Sequence, residues 1–122
     1  MNKNDLIVTA SQFSVKESLD RLESILSELN VKIFARFNHG TEANAVELDL
    51  DDVEVLVFGD PKVGTYLMQE NIAIAIELPL KVVAWSEDSK TFLAYKDPSE
   101  IALPYSISKN QEIIKQFWII KS

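Results

Sequence analysis

One stretch constrains this chain more than any other: Val53-Glu-Val-Leu-Val-Phe-Gly-Asp-Pro-Lys-Val-Gly-Thr-Tyr-Leu-Met68. The nearly continuous apolar run Val53–Phe58 reads as a buried strand. Gly59, Pro61 and Gly64 then pin a loop, and Thr65 onward reads as the start of a helix. Loops at strand ends are where a rigid scaffold displays binding groups, because backbone N–H groups are left free at the start of the following helix. If the chain has a site, this is the first place to look for it.

The flanking segments supply the rest of the scaffold. Leu6–Phe13 alternates as a first strand, with Leu6, Val8 and Ala10 on one face. Ser14-Val-Lys-Glu17 has the form of a capping box, and Val15, Leu19, Leu22, Ile25, Leu26 and Leu29 follow as one helical stripe ending near Asn30. Val31, Ile33, Ala35 and Phe37 alternate with Lys32, Phe34, Arg36 and Asn38 as a second, half-buried strand that His39-Gly40 breaks. The segment 41–50 reads as a short helix. Between Thr65 and Leu78 the pattern is double: Ile72-Ala-Ile-Ala-Ile76 has the period of a strand, while Met68, Ile72, Ala75 and Ile76 fit a helix. Composition favours helix over 65–78, with Pro79 as its stop and Leu80 opening a strand. Leu80–Ser86 and Thr91–Lys96 form a hairpin around a polar loop. Ser108-Lys-Asn-Gln111 resembles a second capping box ahead of Ile113, Phe117 and Ile120, which predicts a C-terminal helix. The order strand-helix-strand-short helix-strand-helix-strand-strand-helix predicts an α+β, two-layer fold: a mostly antiparallel sheet with helices on one face, in a single domain over residues 1–122.

Composition excludes several function classes. A net charge of −7, with no run of Lys or Arg, opposes nucleic acid and an anionic membrane surface as partners. The chain has no cysteine, so disulfides, thiolate nucleophiles and cysteine-held metals are out. The longest apolar run, Ile72–Ile76, is far too short to span a bilayer, and Met1–Asp5 lacks the apolar core of a signal peptide. A cytoplasmic location is the expectation.

The loop Gly59-Asp-Pro-Lys-Val-Gly-Thr65 invites comparison with a phosphate cradle, but that signature needs Lys directly after the second glycine, and Pro61 removes one N–H donor. It reads either as a sharp strand-to-helix turn with Thr65 as N-cap or as a looser anion or ligand site. His39, the one imidazole, is suited to proton transfer, and without cysteine a metal site would need two or three carboxylates beside it; the alternative is a hydrogen-bonded structural histidine. Asp49, Asp51, Asp52 and Glu54 lack the glycine and terminal Glu of a calcium loop and read as a solvated acidic loop. Trp85, Phe92, Tyr95 and Trp118 line a pocket or form core and interface. No Gly-x-Ser-x-Gly elbow occurs. Neither a metal nor a cofactor is expected.

Five segments in order, Ser14–Leu22, Ile33–His39, Phe58–Met68, Ile76–Val82 and Tyr95–Pro98, resemble the family called domain of unknown function 302. The Gly-x-Pro-Lys-x-Gly-Thr segment joined to Leu-Pro-Leu is the most specific part. The resemblance implies a TATA-binding-protein-like β-α-β4-α fold with short inserted helices. It lends no reaction, substrate or cofactor. The positions it carries over are His39, Pro61, Lys62, Gly64, Thr65 and Pro79. Where many relatives place Asn before the proline, this chain has Asp60, which exchanges an amide donor for a carboxylate and so opposes an anion there.

Three functional readings follow. The first is a domain that binds a small polar ligand or a protein partner and self-associates as a dimer. The second is an enzyme using His39 with a carboxylate as acid–base pair. The third is a structural or regulatory subunit. The ligand-binding reading expects His39, Asp60, Lys62 and Thr65 to face one cleft.

Overall fold

The computed structural model describes residues 6–110. Five strands, β1 (Leu6–Ser11), β2 (Lys32–Asn38), β3 (Val53–Gly59), β4 (Leu80–Glu87) and β5 (Lys90–Lys96), form one sheet in the order β1-β5-β4-β3-β2. Every neighbouring pair is antiparallel. Four helices are interspersed: α1 (Val15–Glu28), α2 (His39–Ala45), α3 (Pro61–Glu70) and α4 (Pro98–Ala102). The α+β expectation holds. The expected C-terminal helix falls on residues 111–122, outside those described.

Helix α1 starts where its cap dictates, with Ser14 Oγ accepting the Glu17 N–H at 3.1 Å. The Glu17 carboxylate pairs forward with Arg21 at 3.3 Å. Val15, Leu19 and Leu26 are buried and Leu22 packs beside them, whereas Ile25 and Leu29 are exposed. The stripe therefore narrows to residues at i, i+4, i+7 and i+11. It meets Leu56 and Phe58 of β3 and Leu80, Val82 and Ala84 of β4 to make the main core. Each fully buried leucine there contributes about 1.5–3 kcal/mol.

An ion network fixes the α1 end nearest β2. The Arg36 guanidinium donates to Glu54 (Nε, 3.0 Å), to Asp20 and Glu23 (Nη1, 2.7 and 3.1 Å) and to the Lys16 carbonyl (Nη2, 3.1 Å). Burial works against the charge on Arg36, but the hydrogen bonds to Asp20, Glu54 and Glu23 outweigh it and hold the guanidinium above its ordinary pKa.

The segment after Thr65 departs from expectation. Helix α3 begins at Pro61 and ends at Glu70, and Ile72–Glu77 is a separate 3₁₀ segment. Asn71 makes the break: its extended backbone ends α3, its Oδ1 accepts the Ala73 N–H at 3.1 Å, and its Nδ2 donates to the Tyr105 carbonyl at 3.0 Å. A side chain that bonds nearby backbone groups in this way competes with continuation of the helix. Ile74 is fully buried in a second cluster with Leu67, Ala102 and Ile107, while Ile72 and Ile76 are exposed. Leu78 is extended ahead of Pro79, and Leu80 opens β4 as expected.

The hairpin is tighter than anticipated. Asp88 and Ser89 alone turn the chain, both at positive φ (52° and 64°), which matches the right-handed twist of β4 and β5. Beyond β5, Asp97 caps α4 through the Ser99 N–H at 2.9 Å. The Glu70 carboxylate then gathers the backbone N–H groups of Ser108 and Lys109 and the Asn110 amide. Those backbone donors, with the Ser108 hydroxyl and Asn110, lower its pKa to about 2.

Across the sheet, alternation places Val8, Ala94, Val83, Val55 and Phe37 in one registered row on the face opposite α1. Phe37 is half exposed there.

Candidate functional site

The local sequence builds a cleft at the end of β3. Asp60 is the N-cap of α3: its Oδ1 accepts the Lys62 N–H at 2.9 Å, and its carbonyl accepts the Gly64 N–H, also at 2.9 Å. Pro61 occupies the first helical position, where a missing N–H costs nothing. Thr65, expected to be the cap, instead lies in the helix and donates its hydroxyl back to the Pro61 carbonyl at 2.6 Å. The cap sits before the proline because the Asp-Pro pair supplies both a carboxylate acceptor and a preset φ, and Thr65 has no start left to cap.

Opposite α3, the pairing of β2 with β3 shifts register between Ile33 and Ala35. The extra residue, Phe34, is half exposed and lines the cleft. Lys32 lays its ammonium 5.0 Å from the Phe34 ring centroid at the rim. Leu78, Pro79 and Leu80 close the remaining wall, with Met68 and Ala75 beside them.

The cleft is open to solvent on one side, its volume is about 290 Å³, and its walls are mainly apolar. Glycine supplies part of that space. A Cβ on Gly64 would stand 3.7 Å from Leu78 Cδ1 and 3.9 Å from Met68 Cε, and one on Gly59 would stand 3.5 Å from Pro79 Cβ.

Of the four residues expected to share a cleft, the structure brings two together. Asp60 and Thr65 line it. Lys62 is exposed on α3 and is not part of the lining. His39 is elsewhere: it opens α2 directly after Asn38, which pairs with Glu54, whereas Lys32 pairs with Gly59. Five residue steps of β3 separate the two ends, roughly 17 Å at ~3.4 Å per residue. The expectation that His39 joins this loop is therefore corrected. Both follow strands, but β2 and β3 run antiparallel, so their ends lie at opposite edges. Among the described residues no carboxylate is bonded to His39, and no group of three or more His, Cys, Asp or Glu side chains could hold a metal ion.

Residue type alone did not single out Phe34, Met68, Leu78 or Leu80. The signal lay in the segments carrying the family resemblance: ten of the eleven lining residues fall within them, Ala75 being the exception.

Two of the donors at the start of α3 are already engaged. Pro61 has no N–H, and Asp60 takes those of Lys62 and Gly64. The Asp60 carboxylate stands where an anion would sit. The cleft suits an uncharged, mainly apolar group instead.

Comparison with known proteins places this geometry in a family. A family model described as "Domain of unknown function DUF302" matches residues 7–117. Two curated relatives, each called "Fluoride-specific ion channel FluC 1", come from Brucella suis and Brucella abortus. Each is 31% identical over 109 residues, covering 88% of this chain but only 43% and 40% of their own lengths. The chain thus spans about two fifths of the curated relatives it matches. The fold is similar to that in the crystal structure of an uncharacterized conserved protein DUF302 from Bacillus stearothermophilus. That match has a TM-score of 0.86 and 17% identity and covers 98% of this chain and 94% of the other. With the family's model matched from Ile7 to Phe117 and the sheet and helices superposing on a solved relative, this chain belongs to the DUF302 family.

Proposed function

We propose that this chain is a binding domain whose site is the cleft between β3, α3 and the 3₁₀ segment, and that it takes a small, mainly apolar ligand or a partner's side chain. One observation carries the reading: a cavity of about 290 Å³ whose apolar wall is drawn almost wholly from the family-like segments. That volume is at the small end of ligand pockets, so the occupant seats a ring or a short aliphatic group in it. Asp60 and Thr65 give it one polar edge, and Lys32 gives its rim a cation.

The relatives' name adds context and no chemistry. Fluoride conduction is said of those proteins, of which this chain spans about two fifths. Among the described residues no helix is long and apolar enough to cross a membrane. We read the chain as the counterpart of a portion of such proteins that binds or regulates rather than conducts. The acid–base reading of His39 has less support, since the imidazole is exposed and no described carboxylate is bonded to it.

The test is titration with Nile red, an uncharged apolar dye. Wild type should bind it saturably with a blue-shifted emission. Gly64→Leu, which fills the cleft, should lose that binding while keeping a cooperative melt, and His39→Ala should retain it. Equal binding by wild type and Gly64→Leu would remove the cleft from consideration.

A further inference from the structure

The cleft at the end of β3 has a one-sided hydrogen-bonding character. Of the side chains that line it, only those of Asp60, Thr65 and Met68 carry a polar or sulfur atom. The Thr65 hydroxyl is the one side-chain donor among them, and its hydrogen is spent on the Pro61 carbonyl at 2.6 Å. Pro61 and Pro79 have no N–H, and those of Gly64 and Leu78 go to the carbonyls of Asp60 and Ala75. What the lining has to spare is acceptors. Asp60 Oδ1 takes the Lys62 N–H at 2.9 Å, whereas its Oδ2 has no hydrogen-bond or ion-pair partner among the described residues. Asp60 is also the only charged residue of the lining.

We propose that the cleft takes a primary amine on a small apolar body, the body seated against Phe34, Met68 and Leu78 and the ammonium donating to Asp60 Oδ2. The inference rests on the cleft reading above and adds the head group to it. A ligand must bring the donors that the lining lacks, and a cation answers the one charge present. The walls themselves take only the uncharged body. The reverse assignment, an apolar acid, finds no side-chain donor to spare in the lining. The cation at the rim, Lys32, is not a lining residue; its ammonium lies 5.0 Å from the Phe34 ring centroid, and it forms no ion pair with Asp60.

The carboxylate is held ready for this role. As the N-cap of α3 it is tied through Oδ1 to the Lys62 N–H, and Pro61 fixes the backbone that follows. The anchored oxygen sets the place of the free one, so little side-chain freedom is lost on binding. Asp60 is exposed, so water and salt screen the pair. The head group is then worth one screened, charge-assisted hydrogen bond, roughly tenfold in affinity.

Titration followed through the backbone amide resonances of Gly59, Gly64 and Thr65 tests it with three ligands that share a phenethyl body: 2-phenylethylamine, 2-phenylethanol and 3-phenylpropionate. The amine should bind roughly tenfold more tightly than the acid, with the alcohol between them, and high salt should narrow the gap. Asparagine is as good an N-cap as aspartate, so Asp60→Asn should keep a cooperative melt. That variant should bind the amine no better than the alcohol and leave the alcohol unchanged. Lys32→Gln should not weaken the amine. The dipeptide amide of phenylalanine and glycine carries the same ring and ammonium on a peptide. If it binds more tightly than the free amine, the head group stands and its source is a partner's first residue; if less tightly, the source is a free amine. Equal binding of the three phenethyl ligands overturns the proposal and leaves the cleft reading in place. So does a preference for the acid, or amine binding that Asp60→Asn does not change. If none of the three moves those resonances at millimolar concentration the proposal falls, and Nile red decides separately whether the cleft reading falls with it.

Discussion

Replacing Gly64 with alanine should make the protein more stable. Gly64 is the fourth residue of α3, past the proline-led first position, and its N–H already bonds the Asp60 carbonyl at 2.9 Å. No glycine in the described chain has positive φ, so alanine meets no backbone strain there. A glycine in a helix interior costs about 0.8–1 kcal/mol relative to alanine. The new methyl would find Leu78 Cδ1 at 3.7 Å and Met68 Cε at 3.9 Å, ordinary contact distances, and would bury a few tenths of a kcal/mol more. The sum is about 1–1.5 kcal/mol of added stability. For a chain of this length that raises Tm by roughly 4–7 °C. Urea denaturation should show a higher midpoint at unchanged slope, because the surface exposed on unfolding barely changes. The same methyl narrows the cleft, so dye affinity should fall as stability rises. On this argument the helix forgoes about 1 kcal/mol to keep the cleft open. A lower midpoint would refute it, since it would mean that the space beside Gly64 is not available to a side chain.

Two other perturbations test the supports of the fold. Arg36→Met keeps the aliphatic stem but strands the buried Glu54 carboxylate, and should cost about 2–3 kcal/mol in urea denaturation; Arg36→Lys should recover little, because an ammonium cannot reach four acceptors in one plane. Glu70, with a folded pKa of about 2 against an ordinary 4.5, stabilises its contacts fully above the ordinary value and loses them as pH falls through the folded one. Hydrogen exchange at the Ser108 and Lys109 amides, corrected for the intrinsic rate, should therefore accelerate between pH about 5 and about 2, and flat protection across that range would show that the carboxylate does not hold the segment.

Where one residue decides an element, sequence and structure agree. Ser14 starts α1 and Leu80 opens β4 after Pro79. The alternation in β1 predicts its faces correctly because a sheet imposes a period of two on whatever it contains. Failures occur where one residue does two tasks or where partners are distant. Asn71 ends one helix and caps the next turn, a role that composition does not reveal. Asp60 displaced Thr65 as cap because a carboxylate followed by proline outcompetes a hydroxyl five residues later. The apolar triplet Ile72, Ile74 and Ile76 resembled a strand, yet the 3₁₀ segment turns Ile74 inward and the other two outward. The misplacement of His39 was topological: strand ends can be assigned to an edge only after the direction of each strand is known, and that depends on pairing between residues far apart in sequence.

The strand order has a consequence for how the molecule comes into being. The strands β2 to β5 pair each with its successor or with a neighbour one connection away, so they can assemble as they leave the ribosome. Strand β1 cannot join them then. Its partner is β5, and Leu6 waits for Lys96, ninety positions later. Until that partner is made, the outer edge that β5 will provide does not exist, and Leu6, Ile7 and Val8 remain unpaired on the nascent chain. The first strand of this sheet is thus tied to its last, which places one of its longest-range pairings late and lengthens the interval in which apolar segments need protection.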